Sequence, residues 1–194
     1  MSNQKRKYEL KARAAAQEAT RARIAAAAAE LHEEVGIGQT TVADIARRAG
    51  VQRLTVYNHF PDLNALLPAC TAHWLGQHPR PDFEPVFAIG DPVRRLREAL
   101  VLLYGWYREA APMQRRVLGE RASVPELDAW LARSNDVAHA ELTARLSPGL
   151  NRPVVALALD FWTWNRLDHE GLDDKAAAEL IANLALERDG QLTR

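Results

Sequence analysis

The chain has 194 residues, 47% hydrophobic and 26% charged, the balance of a soluble globular protein; no run approaches the roughly 18 apolar residues of a membrane helix, and no apolar leader opens the chain. Its 25 Lys and Arg match its 25 Asp and Glu, but residues 1 to 60 carry a net +4 and residues 61 to 194 a net −4. A basic first third points to a polyanion contact at one end, the plainer alternative being a solvated basic tail; the single cysteine, Cys70, excludes an internal disulfide and fits a reducing, cytoplasmic setting.

Alanine, leucine, glutamate and arginine dominate and strand-like alternation is scarce, so the chain predicts an all-α fold of about nine helices. Residues from about 12 to 35 predict a long helix with Ile24, Ala28, Leu31 and Val35 on one face and Gly36 at its left-handed end. Thr41 and Asp44 have capping-box spacing and open a second helix that Gly50 ends after Ala49. A third helix is expected from Arg53 to Phe60 and a fourth from Leu63 to Gln77, with Pro68 as a candidate kink. The stretch "HPRPDFEPVFAIG", residues 78 to 90, reads as a connector. Asp91-Pro92 starts a helix to about Ala110, and a short helical piece follows Pro112. Further helices are expected from Pro125 to Leu146, from Asn151 to His169, and from Asp173 to about Glu187.

Two short helices joined through Ala49-Gly50-Val51 fit a helix-turn-helix, because glycine permits the backbone reversal and the following aliphatic residue enters the core. Ile45, Ala46, Val51, Val56 and Phe60 would pack on Ile24 and Leu31 of the first helix. The polar residues of the third helix then face outward, on the element that enters a DNA major groove.

The stretch "TTVADIARRAGVQRLTVYNHFPDLNALL" resembles the DNA-binding segment of the TetR family of bacterial transcriptional regulators. The shared residues are Thr41, Ile45-Ala46, Ala49-Gly50-Val51, Thr55, Tyr57, His59, Phe60 and Leu66-Leu67, and the likeness covers about residues 20 to 67. The resemblance implies that Arg53 contacts bases, as a bidentate donor to guanine. It implies that Thr55, Tyr57 and His59 touch phosphates and that Thr41 reaches the DNA backbone from a helix end. Gln52 and Asn58 are additional candidate readers, and Leu54 stands where the family often has a small residue or proline. Leu63 stands where the family favours a phosphate-gripping lysine; the basic residues before Arg23 are the candidate replacement, as an arm along the DNA backbone or minor groove.

On the same resemblance, residues 1 to 62 form the arm and DNA-binding domain, and residues 63 to 194 form an effector-binding and dimerisation domain. The sequence adds its own argument for a homodimer: "VVALALDFWTWN", residues 154 to 165, is apolar nearly all round, so Phe161 and Trp164, with Leu180 and Leu184 of the last helix, are candidate interface residues. All five tryptophans lie in this part. Trp74, Trp106, Trp130 and Trp162, with Tyr107 and the polar His73, His139 and Asn165, are candidates to line a cavity for a small hydrophobic or aromatic effector; plain core is the alternative.

No nucleophile–base pair, phosphate loop or metal cluster stands out, and His73 with His78 is wrongly spaced for two metal ligands on one helix face, so no catalysis, metal or cofactor is expected. The reading is a dimeric repressor of a palindromic operator in double-stranded DNA, away from the membrane and released by an effector. A regulator of the same kind without a small-molecule effector is the alternative.

Overall fold

The computed structural model describes residues 2–186, with side chains from residue 6 onward. Among these residues the fold is all-α, with eleven helical segments and no strand. None of the helices is long and apolar enough to cross a membrane.

The helices are α1 Ser2–Val35, α2 Val42–Ala49, α3 Arg53–His59, α4 Leu63–Gln77, α5 Glu84–Phe87, α6 Pro92–Gly119, α7 Pro125–Arg133, α8 Asn135–Leu146, α9 Arg152–Ala158, α10 Phe161–His169 and α11 Asp174–Leu184. They fall into two compact units, one reaching to Gln77 together with Arg115–Trp130, the other holding His78–Gln114 and the chain from Leu131 on.

In the first unit α1 packs on α2 and α4, and α2 packs on α3. Ile24, Ala28 and Leu31 are buried on the expected stripe, but Val35, the last residue of α1, is 43% exposed. Helix α1 starts ten residues before the expected start near residue 12, because the Lys, Glu, Arg and Ala of its first turns favour helix without needing a core. Its other end is held from a distant segment: the Glu120 carboxylate accepts the N–H groups of Ile37 (2.7 Å) and Gly38 (3.0 Å), and Arg116 donates to the Glu34 carbonyl (3.1 Å). Gly36 has φ 92°, and a Cβ there would sit 1.9 Å from a Glu120 oxygen, so both backbone and space require glycine.

In the second unit several expected boundaries move. Helix α6 runs straight through Pro112, whose ring is exposed, between the buried Ala110, Ala111 and Met113; one lost hydrogen bond does not outweigh that anchoring. The helix expected from Pro125 to Leu146 breaks at Ser134 (φ −117°) into α7 and α8. The one expected from Asn151 to His169 breaks at Asp160, whose carboxylate accepts the N–H groups of Trp162 and Thr163 as a new helix cap. The carbonyls freed at that break are satisfied from α6: Tyr104 donates to Ala158 (2.8 Å) and Tyr107 to Leu159 (2.6 Å). The connector holds α5, where Arg145 stacks 3.4 Å over the Phe87 ring and pairs with Glu84. The last helix stops at Leu184, and the end expected at Glu187 lies outside the described residues.

Candidate nucleic-acid interface

The turn between α2 and α3 is set by local chemistry. Thr41 caps α2, its hydroxyl accepting from the Asp44 N–H (3.2 Å) and donating to the Asp44 carboxylate (2.5 Å). That bond, before the Arg47 ion pair, holds the Asp44 carboxyl below its usual range. At the other end Gly50 adopts φ 64°, and the N–H groups of Gly50 and Val51 bond back to the carbonyls of Arg47 and Ala46. This pair of bonds is a Schellman motif, which needs a left-handed residue and so favours glycine. Arg48 reaches from α2 to Glu34 of α1 with two 2.7 Å bonds, fixing the two helices to each other.

Helix α3 is only seven residues long, so its own backbone bonds cannot hold it. Val56 (2% exposed) and Phe60 (3%) anchor it in the core. With those two inward, Arg53, Leu54, Tyr57 and Asn58 stand in solvent, while Thr55 and His59 are half-buried at the edge. Gln52 is exposed and makes no side-chain capping bond, and Thr41 is exposed at the start of α2. The eight candidate DNA-binding residues thus lie on α3 and its entry and at the amino end of α2. Leu63 is half-buried at the start of α4.

Arg21 was legible in the sequence only as one base among several. In the structure it spans α1 and α3, donating to the His59 carbonyl at 2.9 Å and lying 4.1 Å over the Phe60 ring. It therefore caps the carboxyl end of α3 with a cation, the sign that end favours. A groove of about 580 Å³ runs beside it, lined by Ala14, Gln17, Glu18 and Arg21 of α1 and by Thr55, Asn58 and His59 of α3. Glu120 had no sequence signal at all, since it acts on a loop more than eighty positions upstream.

Behind the interface His32 is 3% exposed, its Nδ1 3.7 Å from the Cys70 sulfur. Burial pushes the imidazole down to about 4, against an opposing pull from Glu120, so His32 is neutral at physiological pH. Burial likewise pushes the Cys70 thiol up to about 12, which leaves it a packing group. Among the described residues no group of three or more His, Cys, Asp or Glu is arranged to hold a metal ion.

The candidate effector residues divide between the units. His73, Trp74 and Trp130 belong to the first; Trp106, Tyr107, His139, Trp162 and Asn165 belong to the second. Trp106 donates to the His78 carbonyl (3.1 Å), and Tyr107 stacks among Tyr104, Phe161 and Trp164 at ring separations of 5.3 to 6.4 Å. His139 is half-buried on α8, and Trp162 is 43% exposed. Of the candidate interface residues, Phe161 and Trp164 are each 2% exposed within their own unit, with the Trp164 indole donating to Asp174 (3.0 Å). Leu180 (43%) and Leu184 (60%) face solvent, as do Leu157 (63%) on α9 and Trp162 on α10.

Residues 24–70 match the family described as bacterial regulatory proteins, tetR family. Over 55 residues the chain is 44% identical to an uncharacterized HTH-type transcriptional regulator of Mycobacterium tuberculosis and, with the same figures, to one of Mycobacterium bovis. These matches cover 28% of this chain and 29% of each relative, so the likeness spans less than a third of their length. A crystal structure of a transcriptional regulator from Rhodococcus sp. Rha1 is similar in fold, with a TM-score of 0.61 at 23% identity, over 84% of this chain and 94% of that one. Over residues 24–70 the chain therefore carries the helix-turn-helix segment of the TetR family of bacterial regulatory proteins.

Proposed function

We propose that the protein is a dimeric, cytoplasmic transcriptional regulator, most simply a repressor, that acts by binding and not by catalysis. In this reading residues 1 to 62 engage a palindromic operator, and residues 63 to 194 dimerise and take up a small hydrophobic or aromatic effector that releases the DNA. The observation that carries it is the polar outer face of α3: Arg53, Tyr57 and Asn58 stand in solvent on a helix pinned from behind by Val56 and Phe60. Arg53 reads a base, Gln52, Leu54 and Asn58 sit within reach of others, and Thr41, Thr55, Tyr57 and His59 take phosphates and fix the register. The exposed Leu157, Trp162, Leu180 and Leu184 support a two-fold apolar contact between copies.

Selection of sites from random duplex DNA tests the reading. Enrichment of a palindrome is expected, with Arg53→Ala relaxing preference at one base pair of each half-site and costing about 1–3 kcal/mol per contact. Binding with no sequence preference would refute it.

A second reading, a regulator of the same kind without a small-molecule effector, is favoured by one observation. The Tyr104, Tyr107, Phe161 and Trp164 cluster closes on itself, with both tyrosine hydroxyls bonded to backbone carbonyls. A screen of aromatic compounds for release of the selected operator separates the two: a compound that raises the operator Kd supports the first, and none across the screen supports the second.

A further inference from the structure

Every residue of α1 from 6 to 19 is exposed, a stretch roughly 20 Å long at about 1.5 Å per residue. It carries Tyr8 at 74% and Leu10 at 62% exposure, so it draws little stability from the chain's own core. Residues 6 to 23 hold six bases against two acids, a net of +4. Its position is more telling than its charge. Ala14, Gln17, Glu18 and Arg21 face Thr55, Asn58 and His59 across the groove beside α3. At about 100° per residue, Lys7, Leu10 and Lys11 fall on that same face, one to two turns upstream. From Arg21 back to Lys7 the helix covers about 21 Å, the length of about six nucleotides of one strand at 3.4 Å each.

We propose that this helical extension is a second DNA contact, in which Lys7 and Lys11 lie along the phosphates of the duplex that α3 enters, with Arg13 at the flank. The inference rests on the reading of α3 as the base-reading helix. A duplex seated on the exposed face of α3 lies against the groove, and two of the three α1 residues continuing that face, Lys7 and Lys11, are cationic. Glu18 is the one acid on this face and opposes the contact. The extension reads no sequence; it adds affinity and holds the register, a rigid arm continuous with the helix that Arg21 fastens to α3.

The test uses the full chain and its selected operator, with binding followed from about 50 to about 200 mM salt. Lys7→Gln with Lys11→Gln keeps the helix-forming character and removes both charges. The expected result is a slope of log K against log salt that is shallower by about 1 for each lost contact, weaker binding at every salt concentration, and an unchanged selected sequence. Glu18→Gln is expected to shift affinity the opposite way. Equal circular dichroism of the variants shows that helicity is kept. An unchanged slope with the operator still bound overturns the proposal and leaves the reading of α3 standing. A changed assembly mass with an unchanged slope also overturns it, by making the extension a self-association helix. If the wild-type chain selects no sequence, the reading of α3 fails and the proposal fails with it.

Discussion

Lowering the pH from about 7 to about 5 is expected to cost the helix-turn-helix unit about 2 kcal/mol through one side chain, His32. The imidazole sits 3% exposed beside the Cys70 sulfur and is pushed down from 6.5 to about 4, chiefly by burial. In the unfolded chain it titrates at its ordinary value, so below 6.5 the unfolded state binds a proton that the folded state refuses. Stability from this group is therefore complete above 6.5, falls as the pH drops, and levels off below about 4. The full loss is about 3.4 kcal/mol, since each unit of difference is worth about 1.36 kcal/mol. Urea unfolding at several pH values measures it, with His32→Leu as the comparison, because every other titrating group is shared and cancels. The gap between the two stability curves should change by about 2 kcal/mol between about pH 7 and about pH 5. Parallel curves would refute the reasoning, as would an imidazole resonance that titrates near 6.5 in the folded chain.

Gly50→Ala meets no atom within 4 Å, so its cost is the left-handed backbone alone; about 1–2 kcal/mol is expected from urea unfolding, and a neutral result would mean that the turn relaxes. Tyr104→Phe and Tyr107→Phe each leave a buried carbonyl at the α9–α10 break without its donor; each is expected to lower stability by about 1–3 kcal/mol in the same assay. Arg21→Ala removes both the bond to the His59 carbonyl and the stacking on Phe60, a loss of about 1–2 kcal/mol in unfolding experiments that Arg21→Lys restores only in part.

What the sequence made legible was what neighbours along the chain decide. Thr41 against Asp44, and Gly50 between Ala49 and Val51, are short-range bonds, and the structure forms both. The outward face of α3 follows from Val56 and Phe60 by helical spacing alone. The amino end of α1 carries no apolar stripe to mark it, and its turns form helix on propensity alone. Asp160 caps a new helix within a mostly apolar run, and the carbonyls freed by the break are met by the hydroxyls of Tyr104 and Tyr107, more than fifty positions upstream, which no neighbour along the chain reveals. The aromatic residues showed their number in the sequence but not their grouping, since Trp74 and Trp130 fold into one unit and Trp106, Trp162 and Trp164 into the other.

The Glu120 clamp also has a consequence for synthesis. The backbone it satisfies, at Ile37 and Gly38, belongs to a loop made early, whereas the carboxylate arrives 43 residues after Gln77, the last residue of the unit's leading segment. At roughly 5–20 residues per second a ribosome takes about 2–9 seconds to bridge that gap. During that interval the nascent helix-turn-helix has all of its first four helices but not the group that ties down the end of α1. Its completion is thus timed by a residue outside it, and a fragment ending at Gln77 would remain in the state that the growing chain passes through.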